Sequence, residues 1–220
     1  MDMDKPRVLL SLPHMGTSHV ANSAAVESVL LRDDRVQLHV VRCSGVPFSS
    51  NMNQVIREFL KGDWDYWINL DEDQAPINNP IDLVFLDRDV IGLPTPAFKL
   101  VPGDKGLPFY WNVYAWDEQN QTYRPHQARK EDGPLQEVDA VGSGCWVVSR
   151  RVLEAIKEPM TIQCDEDGVV KIGGDLSFCG KARAAGFKVY AHYDYPSRHF
   201  KTVDLYEVMR MLLLAKEGKL

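Results

Sequence analysis

The chain has no long hydrophobic run. No segment approaches the roughly 18 apolar residues that a membrane-spanning helix needs, so no span is expected. The apolar stretch in "MDMDKPRVLLSLPHMG" follows acidic residues and is too short for a secretory leader. Positive charge is scarce as well. The 25 Lys and Arg stand against 31 Asp and Glu, a net charge of −6 that gives no global pull toward nucleic acid or an anionic membrane. A local basic face drawn from Arg129, Lys130, Arg150 and Arg151 stays open. The four cysteines (Cys43, Cys145, Cys164, Cys179) form no C-x-x-C pair, which excludes the usual zinc spacing and fits reduced thiols. A cytoplasmic protein is expected, or one in a host's cytoplasm if the chain is viral. No repeat, low-complexity tract or linker interrupts the 220 residues, so one domain over 1–220 is expected.

What is present alternates between strand and helix patterns. Arg7–Leu12 is a compact apolar run ended by Pro13, Asn22–Leu31 has helical spacing, and Gln37–Arg42 reads as a second strand. Ser49 or Ser50 could cap a helix through "NMNQVIREFLKG", whose Val55, Ile56, Phe59 and Leu60 form one apolar side and which Gly62 ends. Tyr66–Leu70 is a third strand. This rhythm predicts βαβ units and a mainly parallel sheet. "NNPIDLVFLDRD" then reads as a helix and "VIGLPTPAF" as a strand. Pro102–Pro134 carries an aromatic patch around a polar "DEQN" and predicts a hairpin, with Phe109–Trp116 alternating. Val138–Ser149 returns to the core, Arg150–Lys157 is a short helix, and Gly186 ends another helix before the strand "KVYAHY". His199 falls in a loop before a docked helix over Tyr206–Leu214.

The run "YWINLDEDQAP" sets Asp71, Glu72 and Asp73 directly on the end of a buried strand. Residues two apart in extended chain face the same way, so Asp71 and Asp73 converge while Glu72 faces the other side. Two such carboxylates repel unless a cation lies between them. Open α/β sheets bind ligands at the carboxyl ends of their strands, and hard oxygen ligands favour Mg²⁺ or Mn²⁺ bridged to phosphates. The competing reading is a solvated acidic turn. An EF-hand is disfavoured because "DEDQAPINN" lacks the loop glycine. Asp175 at a helix start either complements the helix dipole or serves as a general base. His199 is a candidate imidazole ligand, with Arg198 and Lys201 beside it as phosphate-neutralising cations.

Taken in order, these pieces resemble the GT-A fold glycosyltransferases that use nucleotide sugars, family 2 in particular, over nearly the whole chain. "SLP" with Pro13 is similar to the start of that family's nucleotide pocket, and Asn53 falls at its Asn-bearing helix start, although Met52 stands where Arg is usual. "INLDEDQAP" looks like its Asp-X-Asp motif. "VDAVGSGCWVVSRRVLEAI" resembles the small-residue strand and helix lining the cleft, which carries Gly144. "GGDLSFCGKARAAGFKVY" resembles the later acidic motif, with Gly174 in place of the common Glu and Asp175 at the position of the presumed base. His199 lies where the family often supplies a metal ligand.

The resemblance implies a Rossmann-like, mainly parallel sheet flanked by helices, with the aromatic hairpin as an insertion. It implies a nucleoside-diphosphate-sugar donor, UDP being the commonest base carrier, and Mn²⁺ or Mg²⁺ held by Asp73 and His199 with Asp71 assisting through ribose or water. Arg198 and Lys201 would stabilise the leaving diphosphate, and Asp175 would deprotonate an acceptor hydroxyl in an inverting displacement. Trp111 and Trp116, with Tyr110 and Tyr114, would form either a sugar platform or a satellite core. A glycan, a small molecule, a protein or a hydroxymethylated DNA base remain open as acceptors. Two other readings stand beside this one. The first is a non-catalytic nucleotide- or glycan-binding relative. The second, a sugar-phosphate nucleotidyltransferase, is disfavoured because "SLPHMGTSH" has one glycine and no arginine.

Overall fold

The computed structural model describes residues 5–45, 47–98, 109–202 and 205–218. Seven strands form the central sheet: β1 (Arg7–Pro13), β2 (Gln37–Cys43), β3 (Tyr66–Leu70), β4 (Val90–Gly92), β5 (Leu135–Val138), β6 (Cys145–Ser149) and β7 (Val189–His192). Their order is β5-β7-β4-β6-β3-β1-β2. β1 pairs in parallel with β2 and β3, and β7 with β4; only β6 and β5 run against the rest. The sheet is therefore large and mainly parallel, as the alternating pattern predicts.

Period-2 side-chain alternation divides the apolar residues between two faces. Leu9, Trp67, Val90, Trp146, Val148 and Val189 join one cluster with α2 (Phe48–Lys61), α3 (Arg150–Ala155) and α4 (Gly174–Ala184). Val8, Leu10, Ile68, Leu70, Ile91 and Val147 join the other, against α1 (Val20–Ser28) and a 3₁₀ segment over Pro80–Leu86. Burial on both faces is why these strands read as continuous apolar runs. Trp67 and Trp146 meet edge to face at 5.5 Å, and Trp146 lies 5.0 Å from Phe178. Each such aromatic removed from water contributes roughly 2–3 kcal/mol.

Several elements depart from the sequence expectation. α2 starts at Phe48 after Pro47, with no side-chain cap, so Ser49 and Ser50 lie inside its first turn. "NNPIDLVFLDRD" winds as a 3₁₀ segment, with Asn79 accepting from the Ile81 N–H. "VIGLPTPAF" splits at Leu93–Thr95 into β4 and a short strand Pro96–Phe98 that pairs with Phe109–Trp111 outside the main sheet. The hairpin expected around "DEQN" forms, Val113–Asp117 pairing with Thr122–Pro125, but the expected alternation over Phe109–Trp116 breaks at Asn112, whose N–H donates to the Thr95 carbonyl. The part of that insertion over 99–108 lies outside the described residues. His199 sits in a short strand, Ser197–His199, rather than in a loop. A hairpin of Gln163–Cys164 with Val170–Ile172 went unread. α5 (Leu205–Lys216) forms as expected, yet Leu205, Met209, Leu212 and Leu213 stay exposed instead of docking. Among the described residues no helix is long and apolar enough to cross a membrane.

Gly92 ends β4 where the segment Ala140–Val141 crosses it. A methyl group there would lie 2.5–2.8 Å from the side-chain carbons of Val141, which is buried and cannot swing away. Gly92→Ala should therefore destabilise the protein by about 1–3 kcal/mol. The urea midpoint measures this, and an unchanged midpoint would mean that the crossing segment is not held there.

Candidate functional site

A chain of hydrogen bonds runs under the sheet's carboxyl edge. Trp67 Nε1 donates to Ser11 Oγ (2.8 Å), Ser11 Oγ to Asn69 Oδ1 (2.7 Å), and Asn69 Nδ2 to both Asp71 Oδ1 (2.8 Å) and the Ser143 carbonyl (2.7 Å). Ser11, Asn69 and Trp67 are all fully buried. The register explains the link, because Ser11 of β1 lies opposite Asn69 of β3. The Asp71 N–H donates to the Gly144 carbonyl (2.8 Å), and Asn22 Nδ2 donates to the carbonyls of Asp71 (2.8 Å) and Gln74 (3.0 Å). Asp71 is thus held from three sides. Burial pushes its carboxyl up to about 7; the Asn69 hydrogen bond opposes this, while the charges of Asp73 and Asp175 add to it.

Asp73 is held differently. Gln74–Pro76 pairs antiparallel with Ser197–His199, with His199 opposite Gln74, and the Phe200 N–H donates to the Asp73 carbonyl (2.8 Å). His199 Nδ1 donates to the Pro96 carbonyl (2.9 Å), which leaves Nε2 facing Asp73 Oδ2 at 3.4 Å. Lys201 Nζ hydrogen-bonds the same oxygen. Burial raises the Asp73 carboxyl, but His199 and Lys201 outweigh it and the net shift is downward. The Asp73 hydrogen bond in turn holds His199 above its ordinary value, against burial. An imidazole whose Nδ1–H is fixed on a carbonyl presents Nε2 in the way metal-binding histidines do.

Asp175 lies in the first turn of α4 and accepts from the Leu176 N–H (2.9 Å). Burial raises its carboxyl above the usual range, and backbone N–H groups of Leu176, Ser143 and its own residue counter only part of that. A Cβ at Gly174 would lie 2.5 Å from Ser49 Oγ on α2, so the missing Glu side chain is replaced by close approach of two helix starts. Glu72 does not face away as expected: the chain turns at Asp71–Gln74, and Glu72 lines the same pocket as Asp71 and Asp73, accepting from the Met15 N–H (2.8 Å) while its carbonyl accepts from the His19 N–H (2.9 Å). The His19 ring stacks on Phe200 at 3.7 Å. Glu72 therefore ties the 14–19 loop beside a pocket of about 150 Å³ lined by Pro13, Asn51, Phe48, Gly45, Asp71 and Asp73.

The structure brings together Asp71, Asp73, His199, Lys201, Gly144 and Pro13, with Asp175 close enough for its charge to act on Asp71. Other residues named from sequence are engaged elsewhere. The Asn53 amide clamps Met160, donating to its carbonyl (2.7 Å) and accepting from its N–H (2.9 Å), and Met52 is core. Arg198 is exposed and alternates away from His199 along its strand. Trp111 is 41% exposed, on the strand paired with Pro96. Trp116 packs edge to face on Tyr123 and lines a separate cleft with Leu176 and Lys181. Arg150 and Arg151 do not join Arg129 and Lys130 in a basic face. Arg150 binds Glu154 and the carbonyls of Gly62 and Trp64, and Arg151 binds Asp87 and Asp89.

Sequence reasoning missed Ser11, Asn69, Asn51 and Gln74. Asn69 was signalled by a polar residue inside "YWINL", two positions before Asp71 and so on its face. The others depend on contacts between distant segments. Among the described residues no three His, Cys, Asp or Glu side chains form a ready metal cage. Asp73 Oδ2 and His199 Nε2, 3.4 Å apart, are the two groups here that could hold an ion whose remaining ligands are water and phosphate oxygens.

No family model matches the sequence, and no curated protein matches it. Solved structures share its fold, among them the two that follow. The crystal structure of A197 from STIV has a TM-score of 0.59 at 20% identity, with 89% of this chain and 86% of that one covered. GalNAc-T7 with UDP, GalNAc and Mn²⁺ has a TM-score of 0.59 at 12% identity, covering 92% of this chain and 44% of that one, so this chain spans under half of that protein. At such identities the likeness establishes the fold: a mixed α/β architecture like that of a GT-A glycosyltransferase.

The Asp71 carboxyl has an ordinary value near 3.8 and a folded value near 7. Its ionisation therefore costs the folded state nothing at low pH, and the cost grows as pH rises toward 7. Relative to the wild type in chelator, Asp71→Asn should gain about 2 kcal/mol of stability between pH 5 and pH 8 and level off above that. Urea denaturation across that range tests it, and a pH-independent difference would contradict the buried carboxylate.

Proposed function

We propose that the chain is a metal-dependent glycosyltransferase that moves a sugar from a nucleoside-diphosphate sugar, UDP-linked, to an acceptor hydroxyl with inversion. One observation carries the reading. Asp71, Asp73, His199 and Asp175 come from three separate segments and meet beside a pocket at the carboxyl end of β3, on a glycosyltransferase-like fold. That the GalNAc-T7 structure contains UDP and Mn²⁺ adds support.

Asp73 and His199 would hold a divalent cation, Mn²⁺ or Mg²⁺, whose chemistry when bound is Lewis-acid stabilisation of charge developing on the leaving diphosphate. Lys201, already on Asp73, brings a second positive charge to the same place. Asp71 orients the donor from its fixed position, and Pro13, Asn51 and Phe48 wall the pocket for ribose and base. Asp175 is the base. Its raised carboxyl binds a proton more readily than a surface aspartate, which suits a group that takes one from the acceptor hydroxyl as the glycosidic bond breaks. Trp111, partly exposed on the strand paired with Pro96, whose carbonyl binds His199, would serve as the aromatic surface for a sugar.

Calorimetric titration with UDP should show binding that needs Mn²⁺ and weakens at least about 100-fold in Asp73→Ala, with the melting temperature confirming folding. Asp175→Asn should bind UDP like the wild type while sugar transfer and donor hydrolysis both fall by about 10³-fold. Metal-independent binding, or none, would overturn the transferase reading. Binding with no turnover in the wild type would leave a nucleotide-binding relative instead.

A further inference from the structure

Gln74 follows the acidic cluster and is 3% exposed, yet nothing in the proposed chemistry uses it. Its backbone is immobile: the N–H donates to the Asp71 carbonyl (3.0 Å), and its own carbonyl accepts from Asn22. Its side chain is held at one end, where Oε1 lies 3.1 Å from the hydroxyl of buried Thr95, whose one proton it shares with the Leu93 carbonyl (3.1 Å). The other end points at Gly144. A methyl group on Gly144 would lie 2.7 Å from Gln74 Nε2 and 3.4 Å from Asp71 Oδ2, so amide and carboxylate border the same small space. That neighbour also sets the amide's orientation, since an amide oxygen turned toward the carboxylate would be repelled and the NH₂ group is not. Among the described residues Nε2 donates to no acceptor. The residue is buried as a whole, but this nitrogen is not one of the fully enclosed unpaired polar atoms, so a ligand oxygen can reach it.

We propose that Gln74 is a specificity-determining residue: Nε2, packed against Gly144 where any side chain would displace it, donates to a hydroxyl or carbonyl oxygen of the transferred sugar. The inference rests on the transferase reading and deepens it. A site that hydrogen-bonds one sugar oxygen discriminates against sugars lacking it there, because the donor is then left unpaired.

The test compares UDP with UDP-glucose, UDP-galactose and their N-acetylated counterparts, titrated in Mn²⁺ into the wild type, Gln74→Met and Gln74→Glu. The wild type should bind at least one sugar nucleotide about tenfold tighter than UDP. Gln74→Met should bind UDP like the wild type and lose that gain. Gln74→Glu keeps an oxygen for Thr95 and removes the donor, so it should lose the gain even if Gln74→Met packs poorly. Retention of the gain in both variants, or a wild type that binds UDP but gains from no sugar, would overturn the proposal. A wild type that binds no UDP would instead remove the transferase reading, and this inference with it.

Discussion

Repulsion among carboxylates at the end of β3 is the constraint to which the rest of the site answers. Asp71, Asp73 and Asp175 gather where burial weakens solvation, and a pair of unit charges 4 Å apart is worth about 4 kcal/mol at an effective dielectric near 20. Each carboxylate meets that field differently. Asp73 has His199 and Lys201 on one oxygen and stays ionised below its ordinary range. Asp71 has a neutral amide from Asn69 and the more distant charge of Lys201, too little to offset burial, and its carboxyl climbs to about 7. Asp175 relies on backbone N–H groups at a helix start and is also raised. Three aspartates therefore acquire three proton affinities, which is what separate roles in one reaction require.

Holding such groups together takes a stiff framework. The Trp67–Ser11–Asn69 relay ties Asp71 to the centre of the sheet, so the carboxylate moves only if β1 and β3 move. Glu72, which lines the same pocket as Asp71 and Asp73, ties the 14–19 loop to the turn. Absent side chains matter as much. Gly92 admits the crossing of Ala140–Val141, Gly174 admits Ser49, and Gly144 admits the Gln74 amide. Side chains packed directly onto these glycine backbones help to hold the site's geometry.

Much of this was readable in the residues. Continuous apolar strands with turn residues between them dictate a doubly covered, mainly parallel sheet, because only burial on both faces explains "RVLLSL" and "YWINL". The alternation expected through Asp71–Asp73 does not hold: the chain turns there, the Gln74 N–H closing on the Asp71 carbonyl (3.0 Å), and Glu72 lines the same pocket as its two neighbours. That the carboxylates sit at the end of a buried strand needed nothing beyond neighbours in sequence; how they face did.

What only the tertiary structure decided lies in contacts between segments far apart in the chain. The ladder that sets His199 against Gln74 turned an expected loop into a strand and brought an imidazole to Asp73. Asn53 went to the Met160 backbone because α2 packs beside that segment, and no periodicity in "NMNQVIREFL" records this. Arg150 and Arg151 met carbonyls and carboxylates of other loops instead of forming a basic face. Gln74 gained its place from Thr95, Asn22 and Gly144, three partners that local sequence does not put beside it. Side-chain direction follows from the backbone of a single segment, whereas a polar group's partner depends on which other segment the packed core leaves within about 3 Å of it.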